Sequence, residues 1–225
     1  MPPFAVIIPA AGSSTRFGGP TNKLLEPLAG TPVLTHTVRA FLLRPAVASI
    51  ILPTSLPDLP SLLPSDPRIH LTPGGPTRAH SVLNGLRAVP ESIEWVAVHD
   101  GARPLVAQDL IDRTIAAAVA HNAAAVPALA VSLTIKEAAG PLPARVERTV
   151  PRDRLWAMQT PQVARRADLL RAFETCPLPL DQVTDDVQLI ELAGGAVYLV
   201  QGDERNLKIT TPLDLKVARL LLDER

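Results

Sequence analysis

The stretch PAAGSSTRFGGPTNKLLEPLAG, residues 9–30, follows a short apolar run and places Gly12, Gly18 and Gly19 near two cations, Arg16 and Lys23. Gly12 lets the backbone approach a ligand closely or turn with positive φ. Successive N–H groups of such a loop form an anion-binding nest. Arg16 can fork two hydrogen bonds onto phosphate oxygens, and Lys23 adds a compact charge. Together they predict a cradle for a triphosphate. Neither G-x-x-x-x-G-K-[ST] nor G-x-G-x-x-G occurs, which argues against a P-loop hydrolase and a standard dinucleotide dehydrogenase. Taken singly, each residue has a plainer reading: Gly12 shapes a turn and the cations are solvated.

Further chemistry-bearing residues lie downstream. Asp100 closes the apolar run WVAVHD; there it could hold Mg²⁺, which is commonly bound by one or two carboxylates plus substrate phosphates, or serve as an Asp-Gly turn residue. Arg103 could orient that carboxylate or lie exposed. In TPGGPTRAHSVLNG, residues 72–85, Gly74 and Gly75 precede a helix containing Ser81; their backbone could read a base edge or form a tight turn. Arg78 reaches either phosphate or solvent. Lys208 sits before the last helix, and spacing does not reveal whether it shares a site with Lys23. Asp185 and Asp186 read as first-turn acids that favour a helix dipole. The histidines, at 36, 70, 80, 99 and 121, lack metal-ligand spacing, and Cys176 shows no sign of activation.

The elements that must position these groups alternate. FAVII, residues 4–8, reads as a buried strand. Thr31 offers an N-cap with Pro32 at the first helical position, and Leu34, Val38, Phe41 and Leu42 form one apolar helix face. Strands follow at 48–53 and 68–75, then a helix between Thr77 and Pro90, a strand at 94–104 and a helix carrying Leu110, Ile111 and Ile115. Another strand candidate covers 123–135. Residues 136–155 are polar and Pro-rich, with TIKEA and RVERTV flanking AGPLPA, a pattern for a projecting hairpin. Helices at 166–174 and after Thr184, a strand at 196–202, and a final helix opened by Thr211, Pro212 and Asp214 complete the chain. Alternation of this kind predicts an α/β fold: a Rossmann-like, mainly parallel sheet with helices on both faces in a single domain, plus the arm. Ligands bind such sheets at the carboxyl ends of the strands, where the opening loop lies.

The chain has 225 residues, 47% hydrophobic but only 3% aromatic, so its core must be largely aliphatic. Lys plus Arg balances Asp plus Glu at 22 each; no global basic field exists for nucleic acid. One cysteine excludes an internal disulfide and suits a reducing compartment. Neither a signal peptide nor a membrane span is expected.

Six segments, VIIPAAGSSTRFGG…NKLLEPLAGTPVL, GGPTRAHSVLNGL, VAVHDGARPLV, LWAMQTPQ, VTDDVQLIELAGG and NLKITTPLDL, occur in that order. The chain thereby resembles the 2-C-methyl-D-erythritol 4-phosphate cytidylyltransferases along nearly its whole length. The resemblance implies cytidylyl transfer from CTP to methylerythritol phosphate, with Mg²⁺, in non-mevalonate isoprenoid biosynthesis in the cytoplasm. It implies that Arg16, Lys23 and Lys208 are catalytic. Ala10, Ala11, Gly12, Gly75, Ser81, Asp100 and Ala102 would bind the nucleotide, with Asp100 also on the metal. Arg152, Thr184 and Thr160 would serve the second substrate. Residues 136–155 would cross into a partner subunit, giving a homodimer with a composite site. After Gly75 the family commonly carries an acid; this chain has Pro76, so base selection would rest on backbone groups and Ser81. Rival readings are a ribitol 5-phosphate cytidylyltransferase, a uridylyl- or guanylyltransferase, and a nucleotide-binding regulatory domain.

Overall fold

Alternation along the first strand sorts the core into two layers. Phe4, Val6 and Ile8 face one hydrophobic cluster; Ala5 and Ile7 face the other. A computed structural model describes residues 1–12, 17–18 and 22–223. In it the first strand, β1 (Phe4–Ile7), leads into the glycine loop. A hairpin, β2 (Pro27–Leu28) and β3 (Thr31–Pro32), turns at Ala29 and Gly30, both with positive φ. Helix α1 (Val33–Leu42), strand β4 (Val47–Thr54), the short α2 (Leu59–Leu62) and β5 (Ile69–Pro73) follow. Next come α3 (Arg78–Ala88), β6 (Trp95–Val98), α4 (Gln108–His121) and β7 (Ala124–Ala130). The hairpin β8 (Ile135–Ala138) and β9 (Val146–Val150) precedes β10 (Trp156–Met158) and β11 (Gln162–Arg165). Helices α5 (Arg166–Glu174) and α6 (Asp186–Leu192), strand β12 (Val197–Gln201) and α7 (Pro212–Asp223) end the described chain.

The eight-stranded sheet runs β10-β7-β11-β6-β1-β4-β5, with β12 on the other side of β7. β1 pairs in parallel with β4 and β6, β4 with β5, and β12 with β7. Helices α1, α4 and α7 pack their apolar faces on one side through Leu34, Phe41, Ile111, Ile115 and Leu215. Helices α3, α5 and α6 cover the other through Val82, Leu86, Leu169, Phe173 and Ile190. The fold is the Rossmann-like α/β architecture expected. All four phenylalanines are buried within a mostly aliphatic core.

Two local expectations change, and two short strands appear that the sequence did not suggest. Thr31 does not cap α1: it pairs with Leu28 across the hairpin, and the helix begins at Val33 with Pro32 in the cap position. The run 94–104 is strand only to Val98; Gly101 then turns the chain where a β-carbon would meet Leu34 Cδ1 at 2.9 Å. Strands β10 and β11 enter the sheet antiparallel, against β7 and β6; at three and four residues they are too short to show a period. In the region expected as a hairpin, 136–155, the strands run from Ile135 to Val150: β8 pairs antiparallel with β9 in its own two-stranded sheet, and most of its side chains are exposed.

Candidate active site

Chain segments leaving β1, β5 and β6, joined by the segment before α7, enclose a cavity of about 450 Å³. Its walls include Ala11, Gly12, Lys23, Gly75, Ser81, Asp100, Ala102 and Lys208. Gly12 has no positive φ, and a β-carbon there would meet nothing within 4 Å. Its requirement is therefore open space above the backbone, not a special turn. Asn22 Nδ2 donates to the Gly12 carbonyl at 2.8 Å and so braces the loop. Gly74 brings the second loop against the first: a β-carbon on it would lie 2.3 Å from Ala11 Cβ. Gly75 N–H donates to Ser81 Oγ, which in turn donates to the Thr77 carbonyl, each at 3.0 Å. Thr77 caps α3 by accepting from His80 N.

Asp100 lies at the centre of the charge pattern. Its Oδ2 is 2.9 Å from Lys208 Nζ and 3.3 Å from Arg103 Nε, and its Oδ1 is 3.6 Å from Arg78 Nε. Burial alone would raise its pKa, but Arg78, Lys208 and Arg103 outweigh burial and hold the carboxyl well below the usual carboxylate range. Arg103 also donates to the Asn206 carbonyl at 2.7 Å, so it orients the aspartate and anchors the segment carrying Lys208. That segment is stitched again by Ile209 N–H to the Ala102 carbonyl and by Asn206 Nδ2 to the Thr160 carbonyl, both at 2.8 Å.

Beneath the cavity, Thr160 Oγ1 accepts from Asp100 N–H at 3.0 Å and lies 3.0 Å from His99 Nδ1. The Arg103 carbonyl can only accept, so His99 Nε2–H donates to it at 3.3 Å; in the neutral ring Nδ1 is then the acceptor, and the Thr160 hydroxyl donates to it. Burial pushes His99 down to about 4, and the imidazole is neutral. Thr160, expected among the second-substrate residues, is buried and holds Asp100 from below. Ala10 was expected to line the nucleotide, but its N–H donates to Pro53 and its carbonyl accepts from Thr54 Oγ1, which places it in the sheet rather than the cavity wall. Thr184 lies outside the wall, exposed, with its N–H and hydroxyl both donating to Gln188 Oε1. Arg152 is exposed and donates to the Ser132 carbonyl, also away from its own cavity. Arg16 lies outside the described residues.

The acids after Thr184 do more than favour a dipole. Asp185 caps α6 by accepting from Gln188 N–H at 2.9 Å. Asp186 is buried, and its Oδ2 accepts from Arg78 NH2 at 2.7 Å. Gln162 Oε1 accepts from Asp186 and Val187 N–H, while its Nε2 donates to Asp185. Residue types alone could not assign these partners, because Arg78 and Asp186 lie 108 residues apart.

A glycine loop at the carboxyl end of β1, lysines from both ends of the chain and a strand-end aspartate, on a doubly covered and mostly parallel sheet, define a nucleotidyltransferase. Residues 4–224 match the 2-C-methyl-D-erythritol 4-phosphate cytidylyltransferase family, and the chain belongs to it. It is a cytidylyltransferase of non-mevalonate isoprenoid precursor biosynthesis. It is similar to the 2-C-methyl-D-erythritol 4-phosphate cytidylyltransferase of Azoarcus sp., 40% identical over 97% of this chain and 94% of that one. A bifunctional IspD/IspF enzyme of Desulfotalea psychrophila is 44% identical over 98% of this chain, which spans 57% of that relative's length. The crystal structure of the Francisella tularensis cytidylyltransferase superposes with a TM-score of 0.85 at 32% identity, covering 97% of this chain and 99% of that chain.

Proposed function

We propose that this cavity binds CTP with its triphosphate over the Gly12 backbone, and that a phosphate oxygen of methylerythritol phosphate attacks the α-phosphorus in line. One O–P bond forms as the bond to pyrophosphate breaks, and the products are 4-diphosphocytidyl-2-C-methyl-D-erythritol and pyrophosphate. No enzyme nucleophile is needed. Lys23 and Lys208, with Arg16, stabilise charge on the α-phosphoryl oxygens and the leaving group, so positioning and electrostatics supply the acceleration. The observation that carries this reading is the convergence of Lys23 and Lys208 on one cavity beside Asp100.

The donor set suits Mg²⁺ that arrives with the nucleotide. Asp100 is the only acid among the described residues lining the cavity, and no cluster of three potential ligands occurs among the described residues. Asp100 would be the protein's carboxylate at the ion, with the nucleotide phosphates and water completing its shell. The bound ion would neutralise charge on the triphosphate. Ala11, Ala102 and the Gly75 turn would hold ribose and base, with Ser81 keeping that turn in shape through the Gly75 N–H bond.

Arg152 and Thr184 would serve the polyol phosphate, Arg152 from the partner subunit of a homodimer joined through residues 136–155. Two features support the composite site: Arg152 lies outside the cavity of its own chain, and Leu133, Leu142 and Val146 expose apolar surface on and beside the hairpin. A chain with one cysteine suits the reducing cytoplasm, where we place the reaction. No helix among the described residues is long and apolar enough to cross a membrane.

The test is pyrophosphate release from purified protein with Mg²⁺, CTP or UTP, and each polyol phosphate. Turnover with CTP and methylerythritol phosphate is expected. Rapid turnover of ribitol phosphate with none of methylerythritol phosphate would overturn the substrate assignment.

A further inference from the structure

Arg78 is the first residue of α3, where the positive end of the helix dipole disfavours a cation. Its position therefore does nothing for its own helix. The guanidinium instead reaches two carboxylates from two other elements: Asp186 Oδ2 at 2.7 Å, at the start of α6, and Asp100 Oδ1 at 3.6 Å, after β6. Of the cations around Asp100 among the described residues, Lys208 and Arg103 pair with that carboxylate alone. Arg78 also pairs with a second one. A planar, forked guanidinium can span two such partners; an ammonium acts as a single point charge. Asp186 is only 3% exposed, so loss of Arg78 would leave a buried carboxylate uncompensated. Gln162 holds the same turn from β11 through the Asp186 and Val187 amides. The turn therefore keeps its local shape without Arg78 but loses its link to Asp100.

We infer that Arg78 is a positioning residue that ties the acceptor-side turn, residues 184–188, to the nucleotide-side aspartate Asp100. The inference rests on the proposed function, which puts the polyol phosphate beside Thr184 and CTP beside Asp100. In-line transfer needs the two substrates in near-attack geometry, where small displacements are costly. One side chain gripping both rims fixes that geometry more directly than two independent loops.

The experiment compares wild type with Asp186→Asn, Arg78→Gln, Arg78→Lys and the double variant R78Q/D186N. Pyrophosphate release gives the acceptor KM, Mg²⁺·CTP titration without acceptor gives the nucleotide Kd, and thermal melting reports folding. Asp186→Asn is expected to raise the acceptor KM about tenfold with the CTP Kd within about threefold of wild type, the scale of coupling between contacting residues. Arg78→Gln should raise the acceptor KM comparably, and the double variant should be no more than about twofold worse than Arg78→Gln, as for two residues acting as one unit. Should Asp186→Asn fail to fold, Arg78→Lys decides: it is expected to raise the acceptor KM, and a wild-type value overturns the inference. Unchanged acceptor KM, multiplying effects, or a parallel loss of CTP binding in Asp186→Asn would each overturn it. An inert wild type would overturn the function on which it rests; an active wild type with indifferent variants would overturn the inference alone.

Discussion

Lys23 and Asp100 carry opposite charge into one cavity and have different tasks there. Lys23 is placed to meet phosphate charge that grows in the transition state. Lys23→Ala should therefore lower kcat by at least about 10²-fold with folding intact, the scale of a lost transition-state donor; near-normal pyrophosphate release would remove it from the mechanism. Below the cavity, His99 is held neutral by burial with a pKa of about 4, in the presence of Asp100, Arg103 and Lys208. Its unfolded value is about 6.5, so between these two values the unfolded chain binds the extra proton. Stability consequently falls as pH drops from about 6.5 towards about 4, by about 1.4 kcal/mol per unit within that window for this group. Denaturant melts of the metal-free protein at pH 7 and pH 5 should show this loss, and His99→Asn should flatten the difference. An equal pH dependence in wild type and variant would contradict the neutral, Thr160-bound imidazole. From the sequence, Gly12 and Asp100 were legible because each follows a strand-like run, and Lys23 because it shares the glycine-bearing stretch with Arg16. The Thr160–His99 relay was not, since 61 residues separate its members and neither type is diagnostic alone.

At the scale of elements, the two glycine-bearing loops depend on each other. Gly74 permits the approach of the turn after β5 to Ala11, and Gly74→Ala would drive a β-carbon to 2.3 Å from the Ala11 Cβ. The expected cost is about 1–3 kcal/mol of stability, typical of overpacking, with a raised KM for CTP because the displaced loop lines the nucleotide. A denaturant midpoint and a CTP KM equal to wild type would show that the loops move apart freely. The long elements were legible: β1, β4, α3 and α4 follow period or apolar run, and the reciprocal Thr211–Asp214 cap that opens α7 is formed. What sequence missed lay in short pieces and tertiary choices. β10 and β11 gave no usable period, and Thr31 went to a hairpin whose cross-strand pairing competed with capping. Lys208 was named from its motif, but its place beside Asp100 is set by the Asn206 and Ile209 bonds, which spacing does not encode.

For the whole molecule, a net charge of zero leaves substrate capture to local fields rather than to long-range steering. The cavity confines its positive groups to one end of the sheet, while the hairpin β8–β9 lies outside both cores. If residues 136–155 join two copies and bring Arg152 to a partner, sedimentation should give a species of twice the 24.0 kDa chain. Arg152→Ala should then raise the KM for the polyol phosphate more than that for CTP. An active single-chain species would contradict the composite site. The most direct measurement is a crystal structure with CTP and Mg²⁺ bound. The triphosphate should lie over the Gly12 backbone within reach of Lys23 and Lys208, with Asp100 at the metal; a nucleotide bound elsewhere, or those two lysines directed away from its phosphates, would contradict the assignment.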